Sequence, residues 1–225
     1  MKAGILIPLL CLILYAPWSG QMDLWISGQF FHAEQFQSSP LLGGIYHYAI
    51  WPGWLLAGAA MAGFIFSFIF SSLRKWRCAC LYLILTLAIG SGIISHAVLK
   101  DHWGRPRPKQ SVEFGGRQPF RPFYSPNLFH QPEPSKSFPC GHCTMGFYFF
   151  ALMFLGIRYK QKKVFWLGLG LSLILGALLG YARIAQGGHF FSDVLVSAFV
   201  MWWTALVLTH SKRVTPDKSA GFQSF

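Results

Sequence analysis

Six apolar runs, near residues 4–19, 47–72, 78–99, 141–157, 164–182 and 190–209, constrain this chain more than anything else in it. A helix needs about 20 mostly apolar residues to cross the hydrocarbon core of a bilayer. Within lipid only helices and closed barrels satisfy their own backbone. The pattern predicts an all-α polytopic membrane protein with six transmembrane helices. Composition agrees, with 53% hydrophobic and only 12% charged residues, against roughly 25% charged in soluble domains. A length of 225 residues suggests one domain, residues 1–225. A signal peptide is the alternative for the first run, but it shows no clear small-x-small cleavage site, so a retained anchor is the preferred reading. Segment 20–45 reads as an outer loop with an interfacial helix around Leu24–Phe36.

Lys and Arg number 19 against 7 acids, a formal net charge of +12. In a soluble protein this balance suggests nucleic acid; in a membrane protein it first reports topology. Lys2, Arg74-Lys75-Trp76-Arg77, Arg158 to Lys163 and Ser211-Lys212-Arg213 fall on one side of a six-span arrangement. The positive-inside rule makes that side cytoplasmic, with both termini and the tail 211–225 inside, and no nucleic-acid partner is expected. Lys100, Arg105, Arg107, Lys109, Arg117, Arg121, Lys136 and Arg183 lie on the other side, where topology does not call for them. Seven of these eight fall in the outer loop 100–138, which also carries seven prolines. That density opposes a long helix, and a loop of this length is usually functional or disordered. Its aromatics, among them Trp103, Phe114, Phe120, Phe123, Tyr124 and Phe129, should pack against something, the bilayer interface being one candidate.

Three polar clusters, far apart in sequence, converge on the outer face. Lys100-Asp101-His102-Trp103-Gly104-Arg105-Pro106-Arg107-Pro108 follows the third run, Phe138-Pro139-Cys140-Gly141-His142 opens the fourth, and Arg183 to Asp193 joins the fifth to the sixth. Among their residues are cations, the two histidines His142 and His189 and the carboxylate of Asp193, a set suited to phosphate chemistry. Phosphoryl transfer needs charge neutralisation and positioning, which Arg supplies as a planar fork and Lys as a point charge. His189 and Asp193 are four residues apart and share a helix face. The expectation is that Asp193 accepts a hydrogen bond from one ring nitrogen of His189, leaving the other to attack phosphorus. His142, at a helix start that offers free amides to an anion, is the expected acid for the leaving group. Gly187-Gly188 would let the backbone approach a phosphate closely.

These motifs resemble the three-part signature of the type 2 phosphatidic acid phosphatase family. Lys, six residues, Arg-Pro is met by Lys100, Arg107 and Pro108; Pro-Ser-Gly-His by Pro139, Cys140, Gly141 and His142; and Ser-Arg, five residues, His, three residues, Asp by Ala182, Arg183, His189 and Asp193. The resemblance covers about residues 95–197. It implies six helices, metal-independent dephosphorylation without a cofactor and a phosphohistidine at His189. It also implies that Lys100, Arg107, Arg183 and the Cys140–Gly141 backbone hold the phosphate. Cys140 and Ala182 replace two family serines, and a thiol is the weaker donor. Arg105 is a second Arg-Pro candidate, read as a supporting cation or a solvated loop charge.

A site at the headgroup level, with spans to hold the tails, favours a lipid phosphate in the bilayer as substrate. Trp-Gly-Arg-Pro-Arg-Pro and Glu113-Phe114-Gly115-Gly116 look like bacterial lipid A phosphatases, so lipid A is the first expected substrate. Undecaprenyl diphosphate, phosphatidylglycerophosphate and phosphatidate remain alternatives, as do transfer to another lipid and a non-catalytic family member. The expected location is a bacterial inner membrane, with the site facing the periplasm. Cys140-Gly141-His142-Cys143 is also a Cys-x-x-Cys, but the thioredoxin-like context of a redox motif is absent; an accidental pair of small apolar residues is the plain reading, and a regulatory Cys140–Cys143 disulfide the alternative. A transporter would be expected to use intramembrane polar residues, for which His47 and His96 are the candidates.

Overall fold

The computed structural model describes residues 2–128 and 134–211. Phe129 and the basic residues Lys212, Arg213 and Lys218 lie outside the described residues. The chain is a helical bundle. α1 spans Lys2–Gly28, α2 Pro40–Tyr48 and α3 Trp51–Phe66. A 3₁₀ turn at Ser71–Trp76 leads into α4, Arg77–Thr86, which continues as a π-helical segment over Leu87–Lys100. α5 spans Gly141–Phe147, α6 Phe150–Arg158, α7 Lys162–Ala185 and α8 Phe191–His210.

Among the described residues, five helical stretches are long and apolar enough to cross a membrane: Lys2–Gly28, Pro40–Phe66, Ser71–Lys100, Lys162–Ala185 and Phe191–His210. The expected fourth run, 141–157, is two short helices, α5 and α6, separated at Tyr148 and Phe149. Neither alone has the length of a span. Both are buried on nearly every side, as an all-round apolar helix must be when it occupies the middle of a bundle. They pack along α7, where glycines let backbones touch. A Cβ on Gly146 would stand 2.6 Å from the Gly176 nitrogen, and one on Gly168 would stand 2.8 Å from the Leu152 carbonyl carbon.

The sequence reading of residues 20–45 is corrected. α1 runs on to Gly28, and no interfacial helix forms at Leu24–Phe36. A hairpin of Phe31–His32 against Gln35–Phe36 follows instead. Its turn residues Ala33 and Glu34 both have positive φ, 48° and 61°, which suits a two-residue hairpin turn. α1 is inverted relative to a soluble helix. Ser19, Asp23 and Ser27, four residues apart, are fully buried, while Leu6, Ile7, Leu10, Ile13, Leu14 and Trp18 face outward. In lipid such a helix hides its polar stripe and exposes its apolar one.

The outer loop folds over one end of the bundle. Trp103 and Phe138 rings lie 4.8 Å apart, Phe120 meets Phe190 at 5.1 Å, and Phe114 meets Phe36 at 5.3 Å. Lys109 N–H donates to the Gly187 carbonyl and Ser137 N–H to the Arg105 carbonyl. These aromatics therefore pack on the protein itself, while Tyr124 stays exposed.

Candidate active site

All three polar clusters sit at that covered end of the bundle. Lys100 closes the π-helical segment, whose wide turn shows in two side-chain bonds reaching back five residues: Ser95 Oγ donates to the Gly90 carbonyl, and His96 Nδ1 to the Ser91 carbonyl at 2.7 Å. Ser91, His96, Lys100, Gly141 and His142 line one cavity of about 740 Å³, which descends between α3 and the π-helical segment past Leu87 to Met61. A Cβ on Gly141 would lie 3.3 Å from Lys100 Nζ and 2.8 Å from His96 Cε1. Glycine at 141 is what lets those two side chains reach the backbone there.

Arg183 comes up from the end of α7. It is 9% exposed; its Nη1 donates to Gln186 Oε1 at 2.8 Å and its guanidinium lies 4.8 Å from the centre of the Tyr46 ring. Its buried Nε has no hydrogen-bond partner among the described residues. Burial and the nearby Arg183 charge hold the Arg107 pKa below the ordinary arginine value. Two guanidinium groups whose charges oppose each other, one with an unanswered donor, make a place for an anion.

His189 is 1% exposed. Its Nδ1 lies 2.5 Å from the Ser137 carbonyl. A carbonyl only accepts, so Nδ1 carries the proton and Nε2 keeps the lone pair. Asp193 Oδ2 lies 3.6 Å from the same Nδ1, within ion-pair reach, so the expected pairing is present as a longer contact while the short bond goes to the Ser137 carbonyl. The Asp193 carboxylate also accepts from Arg105 Nη1 at 2.5 Å, Ser137 Oγ at 2.5 Å and Phe190 N–H at 2.8 Å. Ser137 therefore links the two, its carbonyl holding the ring and its hydroxyl holding the carboxylate. Burial works against charge on His189, but Cys140 and Asp193 beside it raise its pKa above the usual histidine value.

His142 stacks against Tyr46 of α2, ring centres 4.3 Å apart, so this one ring touches both His142 and the Arg183 guanidinium. Cys140 is fully buried, with its Sγ 2.6 Å from that of Cys143. Its N–H is committed to the Asp193 carbonyl and its own carbonyl accepts from Ser197. Gly187 has φ of 62°, a left-handed turn that favours glycine. The space over Gly188 is taken by the Arg183 guanidinium, so this glycine makes room for the cation.

Arg105 is neither a solvated loop charge nor turned toward the other cations. It is 0% exposed; Nε donates to the Arg121 carbonyl, Nη1 to Ser192 and Asp193, and Nη2 to Asp23 at 2.8 Å. The sequence reading missed Asp23, Tyr46, Ser137 and Ser192. The signal for Asp23 was present: a carboxylate in register with Ser19 and Ser27 beside an apolar run. Ending the first run at 19 had put it in a loop. His47 is exposed beside Tyr46, whereas His96 lines the cavity.

A family model described as the PAP2 superfamily matches residues 78–215. The chain is 37% identical over 142 residues to a lipid A 4′-phosphatase of Francisella tularensis subsp. novicida (strain U112), covering 62% of each. It is 33% identical over 134 residues to a lipid A 4′-phosphatase of Rhizobium leguminosarum, covering 57% of this chain and 54% of that one. A lipid A 1-phosphatase of Rhizobium johnstonii (strain DSM 114642 / LMG 32736 / 3841) is 33% identical over 128 residues, covering 56% and 45%. The aligned region thus spans about three fifths or less of the length of these relatives. No solved structure gives a significant match.

Proposed function

The chain belongs to the PAP2 superfamily, and from that premise we propose that it is a membrane lipid phosphatase that hydrolyses a phosphate ester of lipid A through a phosphohistidine at His189. The observation that carries this reading is the buried Nε of Arg183, without a partner among the described residues, set among cations beside a histidine whose Nε2 keeps its lone pair. Lys100, Arg107 and Arg183 hold the phosphate and neutralise its developing charge. His189 Nε2 attacks phosphorus while the P–O bond to the lipid breaks, and His142 gives its proton to the departing oxygen. Water then attacks the phosphohistidine, His142 takes the water's proton, and inorganic phosphate leaves with His189 restored.

The apolar cavity leading from Lys100 and His142 toward Met61 supports a substrate that carries acyl chains. Lipid A is preferred because the named relatives are lipid A phosphatases. α5 and α6 together form a bent sixth crossing in this reading. The basic connections at Arg74–Arg77 and Arg158–Lys163 support a site on the periplasmic side of a bacterial inner membrane.

The test is release of inorganic phosphate from lipid A bisphosphate by purified protein in detergent. H189A is expected to lose at least about 10³-fold in kcat. Equal release by wild type and H189A would sink the mechanism; release from undecaprenyl diphosphate but not lipid A would reassign the substrate.

A further inference from the structure

Behind His189 lies a buried charge cluster that the phosphate chemistry does not use directly. Asp23 of α1, Arg105 of the loop and Asp193 of α8 are each 0% exposed. Asp23 accepts from Arg105 Nη2 at 2.8 Å, Ser192 N–H at 2.8 Å and Ser192 Oγ at 2.6 Å. Arg105 Nη1 turns to Asp193 and Ser192, and its guanidinium lies 4.5 Å from the centre of the Phe190 ring. Every partner of Asp23 is a donor, as an ionised carboxylate requires. Isolated buried charges are costly, and removing one partner of a buried network leaves the others uncompensated.

The charges matter more than the count of bonds. Arg105 and Asp193 alone would form a neutral pair, leaving Cys140 as the other neighbour that favours charge on His189. Asp23 supplies the second carboxylate. The cluster then carries one net negative charge, and it becomes neutral when the His189 ring is positive. Resting on the phosphohistidine reading above, we infer that Asp23 and Arg105 are positioning residues. They hold Asp193 in place and set one net negative charge behind His189, which stabilises the ring as it gains a phosphoryl group. Neither residue touches substrate. Asp23 lies outside the residues that the family model matches, so α1 completes the site from beyond that region.

The alternative is a strut that only ties α1 to α8. The two differ in the acid limb of the pH profile for kcat/KM, which reports protonation of His189 in the free enzyme. Asp193, Cys140 and His142 face the ring, with Arg105 and Asp23 behind Asp193. D23N leaves the neutral Arg105–Asp193 pair, so protonated His189 loses support and the limb moves to lower pH by about one unit. R105Q leaves two carboxylates and moves it to higher pH by about as much. D23N/R105Q leaves Asp193 alone and returns the limb toward wild type. The profiles are measured on purified full-length protein in detergent with lipid A bisphosphate, each variant checked for monodispersity and thermal unfolding.

Opposite displacements in the two single variants support the inference, and if one of them fails to fold, the other still carries a signed expectation. An unchanged limb in a folded single variant, or displacement in the same direction in both, overturns it. If wild type releases no phosphate, the functional reading falls and the inference with it; if wild type is active and the limb is unmoved, the inference falls alone.

Discussion

At the residue scale the site is built by side chains that deny one another other partners. The Ser137 carbonyl fixes the His189 tautomer, and Gly188 leaves room for the Arg183 guanidinium. A Cβ at 188 would push that guanidinium from its place, and a misplacement of about 1 Å can cost about 10²-fold in rate. G188A is therefore expected to lower kcat/KM for phosphate release by roughly that factor while leaving thermal stability near wild type. The raised pKa of His189 gives a second expectation. In the proposed mechanism attack requires an unprotonated Nε2, so activity falls as pH drops through that pKa. The pKa stands above the ordinary 6.5, so the acid limb of kcat/KM should lie above pH 6.5. A limb at or below that value would contradict a ring whose charged form is supported by Cys140 and Asp193 against the effect of burial.

At the element scale, helix lengths and glycine contacts place the clusters. The helical stretch Ser71–Lys100 ends in a π-helical segment that brings Ser91, His96 and Lys100 to one cavity wall. α5 and α6 are held against α7 by glycines at direct backbone contact, the way small residues let membrane helices approach. G146V would drive two methyl groups into the α7 backbone at Gly176. Overpacking of this kind costs about 1–3 kcal/mol or more, so a lower unfolding temperature in detergent is expected. A branched residue at Gly170, which meets nothing within 4 Å, is the control and should leave that temperature near wild type.

At the scale of the whole molecule, the site end and the basic end must face opposite compartments if the proposed orientation holds. In a variant lacking Cys11, Cys78 and Cys80, E113C should react with a membrane-impermeant maleimide in spheroplasts, and K162C only after lysis. The reverse pattern would put the site in the cytoplasm. Much of this molecule was legible in the chain. Apolar runs of span length and the clustering of Lys and Arg established a helical membrane bundle, because lipid leaves a backbone few ways to satisfy itself. The spacing of Lys100, Arg107, His142, Arg183, His189 and Asp193 pointed to one family and one site. Three things were decided by tertiary structure alone: the break between α5 and α6, the turning of Asp193 toward Arg105, and the arrival of Asp23 and Tyr46 from the N-terminal helices. The reason is physical. Hydropathy and motif spacing are local along the chain, whereas the partner of a buried charge is whichever donor or acceptor the packed helices bring within about 3 Å.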